Sequence, residues 1–282
     1  MELWKLRLTF SVAARNPGLI LRVATAPHPF GRFERNLDLA LTEAIQTRFF
    51  KAHPDGLMRT SEFEIYLQRK PHLLSATVIR TGVQEPATSN LVRSLLNRTS
   101  RFVDVGANIG WFSLLAAGRA ASVSAFEPES SNVELLRRSV QQNGFENVQV
   151  SEIAIGDHNG VVPLWISEES AGRHSTVWKT GATQRQVQCR TLDSLFPIET
   201  IDLLKLEVEG AEPEVIEGAA ELIGTRRLKS VIMEWNPASW EGRLTLLDPF
   251  QLYQIDGATR FVPGRRPIDG NILLRIRGEL AN

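Results

Sequence analysis

The chain has 282 residues, of which 43% are hydrophobic and 23% charged. That composition excludes global disorder and a fibrous fold. Lys plus Arg and Asp plus Glu each number 32, so the net charge is zero, and nothing in that balance calls for nucleic acid or an anionic membrane as partner.

The length fits one large domain, or a catalytic domain with an accessory segment of about 80–100 residues. The start, Met1-Glu2-Leu3-Trp4-Lys5-Leu6-Arg7, lacks the apolar core of a signal peptide. No apolar run approaches the roughly 18 residues of a membrane span. A lone cysteine, Cys189, excludes an intrachain disulfide and fits a reducing compartment. A cytoplasmic protein is expected by elimination.

Residues 1–80 form a small accessory segment in this reading. Pro-containing turns at 16–18, 27–29 and 53–56 break it into short pieces. Leu37, Leu41, Ala44, Ile45 and Phe49 recur at helical spacing, so the segment is expected to be mainly helical. It would cover the core, close a substrate pocket or make a homodimer contact.

Residues 81–282 read as the main domain. Leu91, Val92, Leu95 and Leu96 make one helix face. A strand over 101–105 ends at Gly106, and a helix follows over 110–118. The next strand, 122–126, ends at Glu127-Pro128. A helix capped by Ser130 or Ser131 runs to Asn143-Gly144. A third strand spans 148–154. Alternation over 160–192 suggests an antiparallel insertion with a polar tip. A strand over 201–208, a helix over 211–223 and a strand over 230–234 come next. Two strands near 250–255 and 271–276 suit an antiparallel pair at one sheet edge. Strand–helix alternation of this kind implies an α/β fold with a mostly parallel, doubly covered sheet. Its ligands bind where strands end.

The first strand end is Asp104-Val105-Gly106-Ala107-Asn108-Ile109-Gly110. Gly106 permits a sharp turn, and Gly110 a close approach of helix and ligand. Only two glycines are present, against three in the dinucleotide fingerprint. Asp104 would oppose a pyrophosphate and suit a ligand with an ammonium and a sulfonium. S-adenosylmethionine has both and carries no phosphate. Glu127 ends the second strand, where a carboxylate accepts both hydroxyls of a ribose. Ala154 is small enough for an adenine to lie against it.

These stretches resemble the FkbM family of S-adenosylmethionine-dependent methyltransferases. The matching pieces are Asp104–Gly110, Phe126-Glu127-Pro128, Ala154–Asp157, Thr191-Leu192-Asp193 and Ile201–Glu212, with Glu234 after the fifth strand. The resemblance covers about residues 80–277. It implies a Rossmann-like class I methyltransferase sheet with an antiparallel C-terminal edge, and O-methylation of a sugar or natural-product hydroxyl. The family carries Asp in K-x-D-x-E-G where this chain has the longer Glu207.

Transfer to a hydroxyl requires a positioned acceptor and a group that takes its proton. Lys205 and Glu207 share a strand face. Two roles stay open for Lys205: a base or acceptor contact, and an ion-pair partner that orients Glu207. Glu209 reads as a first-turn helix carboxylate rather than a catalyst. His174, in the insertion tip, is an alternative base. Trp178, Trp235 and Trp240 offer flat faces for a sugar ring, although tryptophans are more often core. Glu207, Glu234 and Asn236 would suit Mg²⁺ if they converge, but metal is not favoured. The competing readings are a cofactor-binding module without turnover and an NAD-dependent oxidoreductase.

Overall fold

A computed structural model of the protein describes residues 30–70, 72–166, 175–177, 183–255 and 270–277. The elements begin with a helix, Phe30–Ala52, and two short strands, β1 (Leu57–Arg59) and β2 (Glu64–Tyr66). Helices Leu73–Thr81 and Pro86–Leu95 lead into β3 (Arg101–Val105) and the helix Trp111–Ala117. There follow β4 (Ser122–Phe126), the helix Ser130–Gln142, β5 (Val148–Ser151) and β6 (Ala154–Ile155). The hairpin β7 (Gly160–Ile166) and β8 (Thr183–Arg190) precedes β9 (Leu203–Leu206). The last elements are β10 (Ser230–Trp235), β11 (Phe250–Gln254) and β12 (Gly270–Ile276).

Seven strands form the main sheet in the order β11-β12-β10-β9-β3-β4-β5. Pairs among β5, β4, β3, β9 and β10 are parallel, whereas β12 runs antiparallel to both β10 and β11. The α/β sheet with an antiparallel edge is therefore present. In β9 every residue is buried, as expected of a parallel strand covered on both faces. Side-chain alternation sorts the core into two layers. Val103, Val105, Leu204 and Leu206 point into one cluster, and Phe102, Leu203 and Ile232 into the other. Asp104 and Lys205 face each other across β3 and β9 on that second side.

Residues preceding the main domain pack into that second layer. Phe63, Ile65, Leu67 and Val78 are buried in it. β2 docks on the helix Ser130–Gln142 and the turn after it: the Tyr66 amide donates to Ser139 Oγ (2.9 Å), and the Glu64 amide to Asn143 Oδ1 (2.8 Å). Gln46, on the first helix, stitches this segment together. Its Nε2 donates to the Gln68 carbonyl (2.6 Å), and its Oε1 accepts from the His72 amide (2.8 Å).

Several boundaries differ from expectation. The third strand ends at Ser151, and Ala154–Ile155 pairs instead with β8 in a separate three-stranded sheet. The cap of the helix Ser130–Gln142 is Glu129, which accepts from the Asn132 amide at 3.0 Å; Ser131 donates its hydroxyl to that same carboxylate. The helix expected over 211–223 is two short ones, Glu212–Glu217 and Ala220–Gly224. No helix among the described residues is long and apolar enough to cross a membrane.

Candidate active site

The C-terminal ends of β3, β4, β9 and β10 open into one cavity of about 430 Å³. Asp104, Gly106, Asn108, Glu127, Ala154 and Glu207 all line it. Gly110 and Lys205 are not on its wall. His174 and Trp178 lie outside the described residues.

Asp104 ends β3 and is 2% exposed. Ser113, on the following helix, donates its hydroxyl to Asp104 Oδ2 at 2.6 Å. Burial raises the carboxyl to about 6, against the lowering pull of Ser113 and of Lys205. Glu127 ends the neighbouring strand. Its Oε2 accepts from the Asn108 amide (2.8 Å) and its Oε1 from the Glu129 amide (3.0 Å). Burial pushes it up to about 7 despite these bonds. Two desolvated carboxylates facing one cavity favour a positively charged occupant. They disfavour a pyrophosphate for the same reason.

The loop between β3 and its helix owes its path to two glycines. Gly106 has φ +78, and a Cβ there would lie 1.8 Å from the Glu207 carbonyl oxygen. This glycine lets the β3 loop press against the end of β9. Gly110 has φ +93, and its Cβ would meet Leu136 Cδ1 at 2.1 Å. The close approach that this glycine permits is to Leu136 on the helix Ser130–Gln142.

Lys205 is 1% exposed, beneath the Phe112 ring, with Nζ 5.0 Å from the ring centre. It donates to Glu207 Oε2 at 2.8 Å. Burial works against the ammonium, but Glu207, Glu85 and Asp104 outweigh it and push Lys205 up to about 12. A lysine so held is a fixed cation rather than a proton acceptor. Glu207 is 37% exposed and reaches the cavity.

The turn after Glu207 is held from below. Glu212 Oε1 accepts from the Val208 amide (3.1 Å) and the Gly210 amide (3.3 Å). Glu209 sits in this turn at φ +51, before the helix begins at Glu212, and lines the cavity. Ser175 Oγ donates to the Glu209 carbonyl at 2.9 Å, which ties the insertion to the same turn. Glu234 also lines the cavity. Desolvation, then the charges of Glu207 and Glu212, raise its carboxyl. Asn236 turns back on its own backbone, accepting from the Ala238 amide at 3.1 Å. No group of three or more His, Cys, Asp or Glu side chains among the described residues is arranged to hold a metal ion. Trp235 and Trp240 stack on each other at 5.7 Å, 3% and 1% exposed. They belong to the core and offer the cavity no face.

Sequence reasoning missed the far wall. His72, Gln84 and Glu85 line the cavity from the segment before β3. The available signals were weak: a histidine at a helix start and a Glu-Pro pair.

A family profile described as the methyltransferase FkbM domain matches residues 104–258, more than half of the chain. The chain belongs to the FkbM methyltransferase family. Curated relatives include methyltransferase sdnD of Sordaria araneosa, 27% identical in a 172-residue alignment that covers 48% of this chain and 66% of that protein. Another is the 2-O-methyltransferase NoeI of Sinorhizobium fredii, 26% identical over 69% of this FkbM-family chain and 88% of its own. Among solved structures, an FkbM methyltransferase from Methylobacillus flagellatus matches with a TM-score of 0.44 and 16% identity, over 94% of this chain and 60% of that one.

Proposed function

We propose that the protein is an S-adenosylmethionine-dependent O-methyltransferase that acts on a hydroxyl of a sugar or small natural product. The observation that carries this is the pair of buried carboxylates, Asp104 and Glu127, at adjacent strand ends of one cavity. Their desolvation favours a cationic, phosphate-free nucleoside. When bound, S-adenosylmethionine supplies an electrophilic methyl carbon on a positively charged sulfur. Glu127 would take the ribose diol, and Asp104 the charged end of the amino-acid part. Gly106 and Asn108 shape the loop between them. Ala154 leaves room for the adenine.

The acceptor then lies toward Glu207 and Glu234. Glu207 is the group positioned to receive the hydroxyl proton, because it lines the cavity while Lys205 holds its Oε2. Lys205 acts as a positioning residue. The hydroxyl acceptor is further supported by the 2-O-methyltransferase among the relatives.

Calorimetry with S-adenosylmethionine and S-adenosylhomocysteine tests the reading. Binding is expected at micromolar concentration and is expected to vanish in Asp104→Ala and Glu127→Ala. No heat from either compound at millimolar concentration would remove the proposal.

A further inference from the structure

Glu85 is the one carboxylate that the segment before β3 gives to the cavity wall among the described residues. It lies outside the family-matched span of residues 104–258. It occupies the cap position of the helix Pro86–Leu95, yet its side chain makes no capping bond. Its backbone sits at φ +41, a conformation that non-glycine residues rarely hold without support. The support comes from far along the chain. Asn271 Nδ2 donates to Glu85 Oε2 at 2.5 Å and to Thr88 Oγ1 at 3.1 Å. Asn271 itself pairs with Glu234 in the β10–β12 register. The carboxylate is thus withheld from its own helix and fixed at the cavity from the opposite side.

Its two oxygens take one bond each, from Asn271 and, at 3.2 Å, from Gln84 Nε2. A carboxylate accepts about four hydrogen bonds, so capacity is left for a ligand. Charge narrows the choice of ligand. Among the described residues that line the cavity there is neither Lys nor Arg. Asp104 and Glu127 serve the cofactor end. The buried Lys205 ammonium is shared by Glu207, Glu85 and Asp104 and also acts on Glu234, so one cation stands against several carboxylates and the acceptor side stays net negative. A phosphate or carboxylate on the acceptor would meet like charge at short range, whereas hydroxyl groups would donate to it.

We infer that Glu85, clamped by Asn271, is an acceptor-binding carboxylate that hydrogen-bonds hydroxyl groups of an uncharged polyol and turns away anionic acceptors. The inference rests on the methyltransferase reading above. It assigns the residue to substrate binding, not to proton removal.

The test is methyl transfer from labelled S-adenosylmethionine to a panel of neutral methyl hexosides, with the matching uronates and hexose phosphates. The variants are Glu85→Gly, which relieves the positive φ while deleting the carboxylate, and Glu85→Gln, which keeps the shape. Calorimetry with S-adenosylhomocysteine accompanies each. Wild-type protein is expected to use neutral acceptors and to use their anionic counterparts at least about tenfold less well. Glu85→Gly is expected to raise KM for the neutral acceptor about tenfold, as the loss of one charge-assisted bond does, with kcat little changed. Its affinity for S-adenosylhomocysteine should stay within about twofold of wild type. Glu85→Gln should recover part of the lost affinity. Equal use of anionic acceptors, an unchanged KM in Glu85→Gly, or no transfer to any neutral acceptor by protein that binds S-adenosylhomocysteine would each overturn this inference alone. Failure of wild type to bind S-adenosylhomocysteine would instead bring down the methyltransferase reading beneath it.

Discussion

Replacing Asp104 by Asn separates what that carboxylate does for stability from what it does for binding. Its carboxyl is raised from 3.8 to about 6 by burial. A raised carboxyl favours folding below its unfolded value and loses that contribution as pH climbs through the folded value. The cost is therefore absent below about pH 3 and complete above about pH 7. Roughly two pH units at about 1.4 kcal/mol each make it about 3 kcal/mol. The amide introduced by Asp104→Asn would still accept from the Ser113 hydroxyl and would carry no charge to desolvate. The ligand-free variant should therefore melt several degrees above wild type near pH 8, since about 1 kcal/mol moves a domain of this size by roughly 2–4 °C. The gain should be small near pH 4 and vanish below about pH 3. Melting curves across that pH range, with and without S-adenosylhomocysteine, measure both effects. The ligand should stabilise wild type and leave the variant unmoved. A variant that melts lower than wild type near pH 8, or that keeps its ligand response, would refute the reasoning.

Glu207→Gln should reduce kcat by about 10²–10⁴, the usual worth of a positioned general base, while S-adenosylhomocysteine affinity measured by calorimetry holds. Gly106→Ala should yield little folded protein, because the added Cβ lies 1.8 Å from a backbone oxygen at a positive φ; circular dichroism of the purified variant checks this. Asn143→Ala removes the acceptor for the Glu64 amide and the donor to its carbonyl. It should cost about 1–3 kcal/mol in urea unfolding and expose β1 and β2 to protease first.

The strand ends were legible because β3, β4 and β9 are largely apolar up to a sudden polar residue. Asp104 and Glu127 stand out for that reason, as does the pair Lys205 and Glu207. Other features carry no such contrast. β1 and β2 are three residues each, with Ile65 alone buried, too short for periodicity to register. Ala154 continues the pattern of β5 in sequence but pairs with Cys189, and local spacing does not reveal a change of sheet. Ser130 and Ser131 are better helix caps by propensity, yet Glu129 caps because its carboxylate reaches both the Asn132 amide and the Ser131 hydroxyl. The clamp on Glu85 joins residues 186 positions apart. Only the closed sheet brings them together.

β12 lies between β10 and β11, both of which precede it in the chain. During synthesis it therefore leaves the ribosome after every other strand of this sheet and must slide into a gap flanked by older neighbours. Until then the rim of β10 is an unpaired template, the kind of edge on which nascent chains stick to one another. The same strand delivers Asn271. On the proposed reading of the site, the strand ends assigned to the nucleoside precede in the chain the strand that fixes Glu85 on the acceptor side.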